Sequence, residues 1–224
     1  MTQLSSSTNL PSISPYGDHA LYVHYNSDGF SMAINDAVHT LAARLRSDIN
    51  WIDIMTGYDS LVVTFDSARL SLDAAKRKIE DIIIRQPQAE TVQTQGELID
   101  IPVYYGGEYG PDIDAICHSS GLSQTQVIDA HSAQSYRVCM MGFIPGFAFL
   151  SETPQALHHP RHATPRAHVP AGSIGIANWQ TGIYGLDSPG GWQIIGRTDL
   201  TMFDPSRSPP FLIKTGDRIR FVPA

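Results

Sequence analysis

The sequence predicts an α+β chain of two units: an N-terminal ferredoxin-like α/β sandwich and a C-terminal barrel or sandwich of many short strands. Three observations carry that expectation. Between residues 19 and 94 the apolar pattern alternates between the strand period and the helix period. After about residue 95, short apolar runs are separated by stretches dense in glycine and proline. With 42% hydrophobic and 17% charged residues over 224 positions, there is material for a packed core and too little charge for a disordered chain or a coiled coil.

Residues 1–15 (MTQLSSSTNLPSISP) are polar, with no basic start and no apolar stretch, and are expected to form a flexible tail rather than a targeting signal. Ala20–Tyr25 alternates as a strand, and Ser31–Arg46 places Ile34, Val38, Leu41, Ala42 and Leu45 on one helical stripe. Ile49–Met55 and Leu61–Phe65 read as strands around a turn at Gly57–Ser60. Ser71–Arg85 is a second helix with Leu72, Ala75, Ile79 and Ile82 or Ile83 on its apolar face, ended by Pro87. With Ala89–Thr94 as a closing strand, residues 16–94 have the split βαβ order, and the domain boundary falls near 92–98.

In residues 95–224, Ile99–Tyr104 is a short strand and Gly106–Asp112 a turn that opens a helix. Ser123 and Gln126 are spaced as a capping box before Val127, Ile128 and Ala130. Beyond Tyr136 the apolar runs Tyr136–Met141, Ile174–Ala177, Trp192–Ile195, Leu200–Phe203 and Arg218–Val222 read as strands, with no convincing helix among them.

Charge is unevenly placed. Residues 1–133 carry a net of −10, whereas 134–224 carry +3, and 7 of the 8 basic residues there are arginines. The overall −7 argues against a general nucleic-acid binder. Arginine without lysine suits a fixed fork of donors for a carboxylate or phosphate, although scattered solvated arginines would give the same composition. No apolar run reaches the roughly 18 residues of a membrane span. Two cysteines, Cys117 and Cys139, are too few for a disulfide framework, which points to a reduced, cytoplasmic setting.

Four stretches hold the candidate chemistry. Gly142–Leu150 (GFIPGFAFL) sets Phe143 and Phe147 around Pro145 in a stiffened loop, suited to a ring-lined pocket or simply to a core. His158, His159, Arg161, His162, Arg166 and His168 crowd eleven residues; no helix holds an HHxxH zinc site there and no acidic ligand lies within the cluster, so no metal is expected. Arg161 and Arg166, each beside a proline, are better placed to grip an anion, with a solvated loop as the alternative. Ala171–Gly175 fails the nucleophile-elbow pattern, and Ser173 reads as a structural serine in a glycine turn. Gln180, Tyr184, Ser188 and Arg197 are polar groups among glycines, with Gly190 and Gly191 able to supply a backbone nest; tight barrel turns need the same glycines. No lysine completes a phosphate-binding loop. His131, after an apolar stripe, fits a general base or a helix-terminal cation.

The segments YGGEYGPD (105–112), GLS (121–123), QVIDAH (126–131), GFIPGFAFL, TPR (164–166), VPAGSIGIA (169–177), QTGIY, SPGGWQIIGRT (188–198), FDP (203–205) and GDRIRF (216–221), with YGDHALYV (16–23) and YDSLVVTFD (58–66), together resemble one family. It is the 5-oxoprolinase B-subunit family, also labelled allophanate hydrolase subunit 1 or sporulation-kinase inhibitor. The resemblance implies a cyclophilin-like β-barrel as the C-terminal domain and an enzyme component that does not act alone. The partners it implies are a larger C subunit with a separate A subunit, and ATP and Mg2+ used to activate and open a lactam, 5-oxoproline, to glutamate. On that footing Arg166 and Arg197 would hold phosphate or a carboxylate. Phe143, Pro145, Phe147, Arg161, Gln180, Tyr184, Ser188, Gly190 and Gly191 would bind substrate or nucleotide, and His131 would carry a proton. Other members imply a regulator that binds a histidine kinase, or a component of urea carboxylase. The chain departs from the family pattern at Ala148-Phe149 (usually Pro-Tyr), at Gly185 (usually proline) and at Arg161-His162 (usually two arginines).

Overall fold

The structure, a computed structural model, describes residues 10–26, 30–85 and 96–224. The chain divides into two units, Met1–Gln93 and Thr94–Ala224. In the first, β1 (Ser12–Pro15), β2 (Ala20–His24), α1 (Met32–Leu45), β3 (Trp51–Thr56), β4 (Ser60–Phe65) and α2 (Leu72–Ile84) follow in order. Both helices start where a serine side chain accepts from the third residue on: Ser31 from the Ile34 N–H and Ser71 from the Ala74 N–H. Val38, Leu41, Ala42 and Leu45 of α1, with Ala75, Ile79 and Ile83 of α2, are buried against Leu21, Val23, Leu61, Val63 and Phe65 of the sheet.

The sheet order is β1-β2-β4-β3, with every pair antiparallel. β2, α1 and β3 thus form the expected split around β4. The closing strand differs from expectation: the place beside β2, which a ferredoxin-like sandwich gives to its last strand, is held by β1. The proposed strand Ala89–Thr94 lies outside the described residues. The flexible tail expected over residues 1–15 is corrected for its last part on the same observation, because Ser12–Pro15 pairs with Leu21–His24, while residues 1–9 lie outside the described residues. A short polar segment becomes a strand once a neighbouring edge supplies its hydrogen bonds, which local composition does not reveal.

The second unit contains β5 (Leu98–Tyr105), α3 (Ile113–Ser120), α4 (Gln124–Ser132), β6 (Ser135–Met141), β7 (Ala148–Glu152), β8 (Arg166–Val169), β9 (Ser173–Ala177), β10 (Gln180–Ile183), β11 (Ser188–Gly190), β12 (Gln193–Arg197) and β13 (Arg218–Pro223). Seven of these strands close into a barrel in the order β10-β7-β6-β13-β5-β12-β9. Closure removes the open edges that short strands otherwise expose. The capping box is present in both directions: Ser123 accepts from the Gln126 N–H while the Gln126 side chain accepts from the Ser123 N–H. Ile113, Ile116 and Val127 of the two helices join Ile101, Tyr136, Val138, Ile174, Ile176 and Phe221 in the main core. Leu200–Phe203 forms no strand; it contributes a single bridge, Phe203 to Phe211.

Two strands that the apolar pattern does not announce, β8 and β11, pair with each other as a separate two-stranded ribbon. The Gly142–Leu150 stretch is a loop running into β7. Both features border the site described below. Among the described residues no helix is long and apolar enough to cross a membrane.

Candidate functional site

A small second core sits beside the main one, made of Phe147, Val169, Ala177, Tyr184, Trp192 and Ile194. Its rings meet edge to face, as their quadrupoles favour: Phe147 lies 4.8 Å from Tyr184 and 5.4 Å from Trp192. These rings and Phe149 floor a cavity of about 330 Å3, whose walls are Phe143, Arg161, Pro165 and Pro189–Gly191. That volume suits a small organic molecule. The Arg161 guanidinium stands 5.8 Å from the centre of the Trp192 ring and has no acidic partner among the described residues.

The sequence builds this pocket through close backbone approaches. Phe143 (φ 72°) and Gly146 (φ 76°) both take left-handed conformations, which throws the 142–146 loop outward and leaves Phe143 66% exposed at the rim. At Gly185, where the family pattern has proline, a Cβ would lie 2.3 Å from the Pro145 carbonyl oxygen, so the departure is what lets the loop sit this close. A Cβ on Gly190 would lie 2.3 Å from the Tyr184 hydroxyl oxygen. The glycine there leaves room for the phenol. Burial pushes the Tyr184 phenol up, against opposing effects of the Trp192 backbone and of Arg161 and Arg166, so its hydroxyl stays protonated at neutral pH and can donate.

Beside this cavity lies an ion-pair network that reassigns Arg166. Its two terminal nitrogens donate to the Asp112 carboxylate at 2.7 and 2.6 Å, and Asp112 also accepts from the Ile194 N–H at 2.7 Å. His162 Nε2 lies 3.2 Å from the same carboxylate and 2.8 Å from Arg166 Nη1. Burial would raise the Asp112 carboxyl, but Arg166, the Ile194 amide and His162 outweigh it and hold it below the usual carboxylate range. The loop before Asp112 is pinned to β12, since a Cβ on Gly110 would lie 2.1 Å from the Ile195 carbonyl oxygen and the Asp112 N–H donates to Ile194 O at 2.9 Å. Arg166 is therefore not the free anion grip expected of it. Its fork is spent on a buried carboxylate 54 residues earlier in the chain, a partner that only the fold supplies.

His131 is corrected more sharply. It is wholly buried among the barrel side chains, stacked 4.6 Å from Phe221, and hydrogen-bonded to Tyr105 Oη at 2.8 Å and Thr181 Oγ1 at 2.9 Å. Burial pushes its pKa down to about 3. It is a neutral core histidine with no access to a substrate, so it is not the proton carrier expected of it.

The remaining candidates separate. Phe143, Phe147, Arg161, Tyr184, Gly190 and Gly191 share the aromatic cavity. Pro145 lines a different, more open apolar groove with Phe211 and Ile213. Gln180 and Ser188 are buried in strands β10 and β11 and do not line the aromatic cavity, and Gln180 Nε2 and Ser188 Oγ have no hydrogen-bond partner among the described residues. Arg197, at the end of β12, lines a second cavity of about 250 Å3, with its guanidinium 4.6 Å from the centre of the Tyr109 ring. The clustered histidines turn to separate partners, His158 to Thr153 O, His159 to Pro160 O and His162 to Asp112. No group of three or more His, Cys, Asp or Glu among the described residues is arranged for a metal ion. Trp192, on the floor of the cavity, and Asp112, in the ion-pair network beside it, are positions that residue types do not single out; both stand inside family motifs, SPGGW and YGPD.

The family model described as carboxyltransferase domain, subdomain C and D, matches residues 11–213. The 5-oxoprolinase B subunit of Escherichia coli O157:H7 is 42% identical over 194 residues, covering 86% of this chain and 87% of that one. The protein of the same name from Bacillus subtilis (strain 168) is 35% identical over 222 residues, covering 94% and 91%. The chain belongs to the 5-oxoprolinase B-subunit family. Among solved structures, conserved uncharacterized protein PH0987 from Pyrococcus horikoshii is 41% identical with a TM-score of 0.56, covering 95% of this chain and 97% of that one. TTHA0988 is 36% identical with a TM-score of 0.78; it covers 92% of this chain, which spans only 40% of its length. The Kluyveromyces lactis urea amidolyase, at 17% identity and TM-score 0.76 over 96% of this chain, shares the fold alone.

Proposed function

We propose that this chain is the B subunit of an ATP-dependent 5-oxoprolinase, and that its aromatic cavity holds the lactam. The observation that carries this reading is the pairing of a ring-walled cavity of about 330 Å3 with an arginine at its mouth that lacks an acidic partner among the described residues. A five-membered lactam bearing one carboxylate matches both halves: the ring lies against Trp192 and Phe149, the carboxylate meets Arg161, and the Tyr184 hydroxyl donates to a polar atom of the ring.

An unactivated lactam resists hydrolysis. Attack of its carbonyl oxygen on the terminal phosphorus of ATP, with loss of the ring N–H proton, expels ADP and leaves an imidate phosphate; one water adds and the ring C–N bond breaks to give the acyl phosphate of glutamate, and a second water releases phosphate and glutamate. No histidine or carboxylate lines the aromatic cavity. This chain's share is accordingly to bind, orient and shield, while the proton-transferring groups come from its partners, the larger C subunit together with the A subunit. The residues do not fit a magnesium seat of this chain's own: Asp112 is saturated by its partners, and no metal cluster exists among the described residues.

The test is the assembled enzyme carrying Arg161→Ala or Arg161→Lys. The alanine variant should raise KM for 5-oxoproline by at least about tenfold, the worth of one charge-assisted hydrogen bond, with lysine recovering part of it. Unchanged KM in both variants refutes the placement.

A further inference from the structure

The second cavity has a construction that the lactam reading does not use. Ser173 and Arg197 are directly opposite one another across β9 and β12, so their side chains leave the sheet on the same face, and both line the cavity. Arg197 is held by its stacking on Tyr109 and, unlike Arg166, has no carboxylate partner among the described residues. Ser173 is 1% exposed, and its hydroxyl has no hydrogen-bond partner among the described residues. Its backbone groups are already committed, the N–H to Pro170 O and the carbonyl to the Tyr184 N–H. The hydroxyl lines the cavity and is open to a group that enters it.

The local backbone is built to hold this pair in place. Gly172 has φ 78°, and a Cβ there would lie 2.2 Å from the Thr198 carbonyl oxygen. Hydrogen bonds from the Gly172 N–H to Tyr184 O (2.8 Å) and from the Thr198 N–H to Gly172 O (3.0 Å) clamp the start of β9 to the end of β12. The serine that reads in sequence as a mere turn residue is thus fixed beside an unpaired guanidinium. Arg166 contributes a second cationic edge, already neutralised by Asp112, and Glu108 stands exposed at the rim.

We propose that this cavity is a phosphate-oxyanion site, with the Arg197 fork and the Ser173 hydroxyl as its donors. A tetrahedral oxyanion accepts from a planar guanidinium and a hydroxyl together, and an anion in this cavity meets both donors at once. The inference deepens the reading above and rests on it for the reaction concerned, but the binding itself requires neither the lactam nor a partner. The phosphate belongs either to a nucleotide or to free inorganic phosphate.

The test is titration of the full chain with inorganic phosphate and, separately, with ATP, followed by calorimetry and by amide NMR shifts at residues 172–174 and 197–198. Saturable binding of either, weakened about tenfold in Ser173→Ala and further in Arg197→Lys, establishes the site, because one charge-assisted hydrogen bond is worth about that factor. Binding of both, in competition, identifies a nucleotide phosphate; binding of phosphate alone identifies the free anion. Ser173→Ala removes only an unpaired hydroxyl, so its thermal midpoint should equal or exceed that of the unaltered chain, which separates lost binding from lost folding. No saturable binding, or binding indifferent to both substitutions, overturns the proposal. Arg161→Ala should leave phosphate binding intact, so failure of the lactam placement and failure of this site give different results.

Discussion

Replacing Asp112 by asparagine changes one atom in the most connected ion pair of the barrel unit. The carboxylate accepts two Arg166 N–H donors and the Ile194 amide, at 2.6 to 2.7 Å, with its side chain 7% exposed. Asparagine turns one acceptor into a donor that faces the guanidinium and leaves the Arg166 charge uncompensated. Breaking a fully buried pair costs about 3–5 kcal/mol. The Arg166 side chain is 34% exposed and keeps some water, so the lower end applies, about 3 kcal/mol. For a unit of this size that is roughly 10 °C in the midpoint of the barrel transition. The pH dependence has a definite sign. Asp112 has a depressed pKa in the folded state, so its contribution is fully present above the ordinary carboxylate value of about 4 and is lost as pH falls through the lower folded value. Urea unfolding of both proteins across that range should show a gap of about 3 kcal/mol at neutral pH that narrows in acid. A gap below about 0.5 kcal/mol at neutral pH, or one that does not narrow, refutes the account of this network.

Other expectations follow from single contacts. His131→Phe should leave the assembled enzyme's turnover at neutral pH within about twofold, since the buried ring meets no substrate. Because the folded pKa of His131 is about 3 and the unfolded one about 6.5, the unfolded chain takes up a proton first as pH falls. Stability therefore declines between those values by about 1.4 kcal/mol per pH unit, and urea melts of the phenylalanine variant should lack that part of the slope. Gly190→Ala puts a methyl 2.3 Å from the Tyr184 oxygen, which should displace the ring, cost about 1–3 kcal/mol in a thermal melt and raise KM for 5-oxoproline.

What the sequence made legible was local. The helices α1, α2 and α4 begin at serines whose capping role is visible from spacing, and the apolar stripes lie on the buried faces. The phenylalanine loop 142–150 reads as pocket or core, and the fold makes it both: Phe147 is buried while Phe143 stands at the rim. What failed depended on distant partners. Arg166 reads as an anion grip because its partner Asp112 is 54 residues away, and His131 reads as a helix-end cation because Phe221 and Thr181, which enclose it, come from other barrel strands. Ser173 reads as a plain turn residue for a similar reason: its cross-strand neighbour Arg197 is set by barrel register, which no turn motif encodes. In the first unit, β1 takes the edge beside β2 through backbone pairing alone, with nothing in its polar residues to announce it.

If this chain completes a lactam-hydrolysing assembly instead of acting alone, its chemistry must depend on its partners. The most direct measurement is to purify it together with the larger C subunit, follow ATP hydrolysis with and without 5-oxoproline, then introduce the A subunit to assay glutamate. The expected result is a stable complex whose ATP turnover depends on the lactam and on both polypeptides, with glutamate appearing only when all three chains are present. A complex that hydrolyses ATP at the same rate without 5-oxoproline, or no complex at all, would contradict it.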